Sequence, residues 1–203
     1  VHNANLMVGE FLARVGKKVG RADLVELGAK AGAFAVAEQN PDGSIHYWSR
    51  AQTPAGQGHL DHYHTGFEIR ALFGLHEHTG QSDFLVAARR YHAFYLERCF
   101  ERTSDGMLPK HGPNAIHPVD IHACAEALLC NLRVMKAFPG ARDVLPETLR
   151  WTLRRMRRKD GAFCYQIRRK GWRETRDCTP YLRWGQGWML AALGAYTCGM
   201  TEA

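Results

Sequence analysis

Asp61-His62-Tyr63-His64-Thr65-Gly66-Phe67-Glu68 is a polar, aromatic opening to an apolar run, and the chain repeats it. His62-x-His64 is followed by Glu68 just as Asp120-x-His122 is followed by Glu126. Both copies read [Asp/His]-x-His-x-x-x-Glu, offset by 58 residues. Positions four apart share a helix face, so His64 with Glu68 and His122 with Glu126 each make a polar stripe at the mouth of an apolar helix. The repeat predicts stacked helical units whose polar mouths line one cavity.

Outward from that stretch, helical periodicity dominates and comes in two alternating kinds. Small, apolar helices are predicted at Asn3 to Val15, Thr65 to Leu75, Ile121 to Met135 and Trp184 to Tyr196. Amphipathic ones are predicted at Ala22 to Glu38, Ser82 to Phe100 and Pro146 to Arg157, the last with proline near its first turn. Each amphipathic helix runs into an Asp-Gly turn: Asp42-Gly43-Ser44, Asp105-Gly106-Met107 and Asp160-Gly161-Ala162, spaced by 63 and 55 residues. Glycine tolerates the left-handed conformation that stops a helix and Asp favours the turn, so the recurrence marks a repeated helical hairpin. Phe163, Tyr165 and Ile167 alternate before Arg169-Lys170-Gly171-Trp172, the pattern of a small β-hairpin on the rim.

A chain of 203 residues suits one domain with one sizeable core. No apolar run approaches the ~20 residues of a membrane span. The first residue is Val, and His2-Asn3 leads at once into a helix, so the chain reads as the C-terminal part of a longer protein. Six cysteines without a Cys-x-x-Cys pair imply reduced, mostly buried thiols and a cytoplasmic protein. Of the 27 basic residues, eleven lie between Arg150 and Arg176; together with a net charge of +7 they fit either a solvated face or attraction to an acidic polymer. Beyond that charge there is no nucleic-acid signature.

Several stretches resemble the α/α-toroid proteins of the six-hairpin glycosidase type, in particular those of bacterial polysaccharide processing. They are His2-Asn3-Ala4-Asn5-Leu6, Gln39-x-x-Asp42-Gly43-Ser44, Asp61 to Phe67, Pro109-Lys110, Pro118-Val119-Asp120-Ile121-His122, and Tyr181-Leu182-Arg183-Trp184-Gly185-Gln186-Gly187-Trp188-Met189. The resemblance implies an all-α fold: a partial ring of hairpins, which a missing N-terminal half or another subunit would close. It implies a carbohydrate-active protein, either a glycoside hydrolase or a polysaccharide lyase or epimerase.

Acid-base work on a sugar needs a proton donor and a second group flanking the reacting carbon. Asp61 and Asp120, each placed just before an apolar helix, are the candidate carboxylates for hydrolysis, although Asp also caps helices in that position. A lyase or epimerase would instead abstract the proton beside a uronate carboxylate, with Tyr63, His64 or His122 as base and Asn5, Arg183 or Gln186 neutralising the carboxylate. His62, Glu68, Trp184 and Trp48 complete the candidate substrate-binding set, the indoles as stacking platforms; Trp188 reads as core packing. Helix N-termini gathered at one rim favour an anionic glycan. No zinc-ligand pattern accompanies the His/Glu spacings, so neither metal nor cofactor is expected.

Two alternatives stay open. One is a glycan-binding or scaffold module without catalysis. The other is a terpene-cyclase-like α/α barrel, suggested by Gln39-x-x-Asp42-Gly43-Ser44 and Asp177-Cys178-Thr179, although Ile45 stands where that repeat has an aromatic.

Overall fold

Seven α-helices form among the described residues, 1–52 and 58–201 of a computed structural model, and each falls on a stretch whose spacing predicts one. They are α1 (His2–Val19), α2 (Ala22–Ala37), α3 (His62–Thr79), α4 (Ser82–Arg98), α5 (Ile121–Val134), α6 (Ala141–Arg155) and α7 (Gly187–Thr201). A π-helical turn, Leu182–Gln186, leads into α7. Strands are few, and none exceeds five residues. β1 (Phe100–Thr103) pairs antiparallel with β2 (Gly106–Pro109), while β3 (Val119–Asp120), β4 (Gln166–Lys170) and β5 (Arg173–Asp177) form an antiparallel sheet in that order. The fold class is all-α with small β-hairpins.

Element limits differ from the periodicity in instructive ways. α3 starts three residues earlier than predicted, so Tyr63 and His64 are helical rather than part of the approach. α6 starts at Ala141 behind left-handed Gly140, which leaves Pro146 inside the helix without an N–H to return to the preceding turn. The β1–β2 hairpin was not legible, because a two-residue loop at Ser104-Asp105 follows a strand that continues directly from an amphipathic helix.

Contacts divide the chain into two compact units, one of Val1–Leu60 with His64–Tyr95 and the other of Asp61–Tyr63 with Leu96–Ala203. In the first, α1 packs along α2 and the core gathers Leu6, Ala13, Ile69, Leu72, Phe84 and Tyr91. α1 and α2 still leave large apolar side chains in solvent: Met7, Val8 and Phe11 on α1, and Leu27 and Phe34 on α2, are about half exposed. α2 shows the expected wet polar residues, with Asp23, Glu26 and Lys30 exposed, but Leu27 and Phe34 are exposed along with them. The first Asp-Gly turn seats on α4. Gly43 has φ +92°, and a Cβ there would stand 2.5 Å from the Arg90 carbonyl oxygen. Gln39 Nε2 donates to the carbonyls of Gly43 and Ala87, and Arg90 donates back to Asn40 and Pro41.

The second unit repeats the arrangement. Gly106 has φ +128°, and a Cβ there would stand 2.3 Å from the Glu147 carbonyl oxygen of α6. Arg150 donates to the Asp105 carbonyl much as Arg90 does to Asn40. Ile121, Leu128, Leu145, Trp151, Met156 and Met189 centre its core. The predicted β-hairpin is β4–β5, with Lys170 opposite Arg173 across Gly171-Trp172. Beyond its open end Cys164 and Cys178 form a disulfide, whereas Cys99, Cys124, Cys130 and Cys198 are free. That pairing departs from the expectation that all six thiols are reduced. The signal was missed because cross-strand neighbours fourteen residues apart carry no sequence motif. Among the described residues no helix is long and apolar enough to cross a membrane.

Candidate functional site

The predicted site residues fall into two groups. Asp61, His62, Tyr63, Asp120, His122, Arg183, Trp184 and Gln186 belong to the second unit, and Asn5, Trp48, His64 and Glu68 to the first.

The second unit builds the richer site around the start of α5. Asp120 caps that helix: one carboxylate oxygen accepts the His122 N–H at 2.8 Å. β4 lies in register with β3, placing Gln166 opposite Asp120, and its Nε2 donates to the other oxygen at 2.9 Å. The Tyr165 side chain also acts on this carboxylate, drawing its pKa down. Burial nevertheless dominates and holds the Asp120 pKa above the usual carboxylate range, the two hydrogen bonds offsetting only part of it. Tyr165 in turn is pushed up by its own burial and by the Asp120 charge. The capping role and the catalytic candidacy therefore coexist in one side chain.

His122, the second residue of α5, is buried in an aromatic column. Tyr63 stacks on it at 4.8 Å between centroids, Trp188 at 4.7 Å, and Trp184 approaches at 5.3 Å with tilted planes. The Arg183 guanidinium sits 5.1 Å over the Trp184 ring. Gln186 holds this turn in place: its amide both accepts from and donates to the backbone of Phe163. Tyr165 meets Tyr181 edge-on at 4.9 Å.

Asp61 and His62 sit together at the start of α3, both buried. His62 is fully enclosed; its Nδ1 donates to the Cys99 carbonyl at 3.1 Å, and desolvation drives its pKa down to about 3. It is a neutral ring in the interior. The His62 N–H donates to the His111 carbonyl.

In the first unit, His64 tilts against Tyr47 at 4.7 Å, and Tyr47 meets Trp48 and His59 edge-on at 4.9 and 5.8 Å. Trp48 is 44% exposed. Glu68 is enclosed, with one oxygen 2.9 Å from the Tyr91 hydroxyl, which also reaches the Ile45 carbonyl. Asn5 donates to the Ala31 carbonyl and ties α1 to α2. Among the described residues no group of three or more His, Cys, Asp or Glu is arranged to hold a metal ion.

Tyr165 and Gln166 were missed by sequence reasoning, whereas Trp188 packs against the core as expected and also meets the His122 ring. That contact had a usable signal, since the four-residue spacing of Trp188 from Trp184 repeats the spacing within the opening motif.

No protein-family model matches the sequence, and no curated protein matches it. By structure the chain is similar to a D-mannose isomerase, with a TM-score of 0.69 and 11% identity over 98% of this chain and 55% of that one. It is similar to an unsaturated glucuronyl hydrolase specific for heparin, with a TM-score of 0.67 and 16% identity over 97% and 59% of the two chains. The GH76 alpha-mannanase of Bacteroides thetaiotaomicron gives 0.61 and 12% over 81% and 47%. These likenesses show the fold, an α/α toroid. The chain spans only about half to three fifths of the length of these structures.

Proposed function

We propose that the chain is the carbohydrate-processing part of an enzyme that hydrolyses a glycosidic bond in an acidic, uronate-bearing oligosaccharide or polysaccharide. Asp120 is the proton donor and Asp61 the second carboxylate. The observation that carries this reading is the environment of Asp120: burial favours its protonated form, and, two residues on, His122 gathers Tyr63, Trp184 and Trp188 into an aromatic wall. A general acid must hold its proton near the operating pH, and burial is how a carboxyl is tuned to do so. Sugar rings present C–H faces that stack on indoles, and Trp184 is 47% exposed. Arg183 beside it supplies the charge to select a carboxylated sugar. The three enzymes of like fold all act on carbohydrates by their names, which favours the class without fixing the reaction.

The stack of Tyr63 on His122 favours a second reading, uronate proton abstraction of the lyase or epimerase kind. A panel of uronate-bearing and neutral oligosaccharides separates them. A new reducing end without unsaturation, lost in Asp120→Asn and Asp61→Asn, is the expected result. An unsaturated product selects the lyase, and binding without turnover selects a scaffold. No binding at low salt removes the carbohydrate reading. The exposed apolar residues of α1 support a further part of the proposal, that additional toroid hairpins or a second subunit cover that helix.

A further inference from the structure

A second cleft of about 390 Å3 opens in the second unit, and none of its lining residues belongs to the candidate catalytic set. Its walls are the β1–β2 hairpin, the outer side of α6 and the tip of β4–β5; Leu108 and Trp151 give it an apolar floor. Trp172, at the hairpin tip, lines it while remaining 90% exposed. A two-residue turn holds that indole out, with Gly171 at φ +60° and its carbonyl accepting from Arg169 Nε. Across the cleft the Arg155 guanidinium forks onto Glu174 at 2.7 and 2.8 Å and reaches Asp105 at 3.3 Å. The polar groups are thus fixed before any ligand arrives.

An exposed indole, an apolar floor and planar carboxylate and guanidinium groups form the set that recognises a pyranose: the ring's C–H face packs on the indole, and its vicinal hydroxyls bridge the planar groups. The volume is at the small end of the ~300–1,000 Å3 typical of small-molecule sites, a scale for a mono- or disaccharide. The sign of the charge narrows the class. Three carboxylates, Glu101, Asp105 and Glu174, face two guanidiniums, Arg155 and Arg169, and His117 is held toward its neutral form by burial and by both arginines. Arg155 is committed to Asp105 and Glu174, and Arg154 and Arg176 also reach those two carboxylates at 3.6 and 3.5 Å, so these guanidiniums are already engaged and favour no uronate or sulfate.

We propose that this cleft is a non-catalytic binding site for an uncharged sugar residue, with Trp172 as its stacking platform and the Asp105–Arg155–Glu174 group as its hydroxyl reader. It does not depend on the reaction assigned to Asp120. The test is calorimetric titration of the full chain with cellobiose, maltose, mannobiose and glucuronic acid, on wild type, Trp172→Ala, Trp172→Phe, Glu174→Gln and Asp120→Asn. At least one neutral disaccharide should bind; Trp172→Ala should weaken it at least tenfold, Trp172→Phe less, and Glu174→Gln severalfold. Asp120→Asn should leave it unchanged, and glucuronic acid should not compete. Unchanged thermal melts of the Trp172 and Glu174 variants guard against misfolding. The proposal is overturned if no neutral disaccharide binds, if Trp172→Ala binds like wild type, or if Asp120→Asn abolishes the binding.

Discussion

The Tyr63 ring lies 6° from parallel with the His122 ring, 4.8 Å away, although 59 positions separate the two in sequence. The contact joins the start of α3 to the start of α5 and makes the two copies of the opening motif unequal: the residue between the polar pair is Tyr63 in one and Ile121 in the other. Tyr63→Phe keeps the stack and deletes only the hydroxyl. Product analysis of that variant should show hydrolysis within a few-fold of wild type, whereas a base at this position would cost about 10²-fold or more.

Asp120→Asn should separate catalysis from stability. Asparagine caps helices as well as aspartate does, so unfolding free energy at neutral pH should stay within about 1 kcal/mol of wild type or rise, while turnover falls by about 10²–10⁴. The sign follows from linkage: a carboxyl whose pKa is raised on folding stabilises fully below its unfolded pKa and loses that contribution as pH rises through the folded one. Wild type should therefore lose stability relative to Asp120→Asn as pH climbs from below the ordinary carboxylate range toward neutrality. Paired denaturant titrations across that range test it; parallel curves would contradict the burial of Asp120.

His62 should act in the opposite direction. Its ring titrates near 6.5 when unfolded and at about 3 in the folded chain, so the unfolded state binds the extra proton between those values. Stability is full above about 6.5 and falls as pH drops toward 3, at up to about 1.4 kcal/mol per unit. His62→Gln should be less stable than wild type at neutral pH and less acid-sensitive, as thermal melts from pH 7 to 4 would reveal.

The Asp-Gly turns offer an internal control. Gly106 has Glu147 backbone where a Cβ would go, whereas Gly161, also left-handed at φ +90°, has nothing within 4 Å. Gly161→Ala should cost only the backbone strain, about 1–2 kcal/mol. Gly106→Ala adds a backbone clash and should cost clearly more. Equal melting shifts for the two variants would contradict the seating of the turn on α6.

The sequence by itself determined the helices, their two kinds, the three Asp-Gly turns and the β4–β5 hairpin. Each rests on periodicity or on the conformational preference of one or two adjacent residues, so it is readable within a short window. The buried pair Glu68 and Glu126 shows that the 58-residue repeat is structural as well as textual. Only the tertiary structure decided which polar residues meet. The motif made His62 and His64 look alike, yet the fold encloses His62 completely against Cys99 and sets His64 among Tyr47 and Phe67. Gln166 reaches Asp120 because β4 pairs with β3 across some 46 residues, and Cys164 meets Cys178 because β5 returns beside β4. Strand pairing and burial are fixed by the whole chain minimising exposed apolar surface and unpaired backbone groups, a sum over distant contacts that no local pattern records.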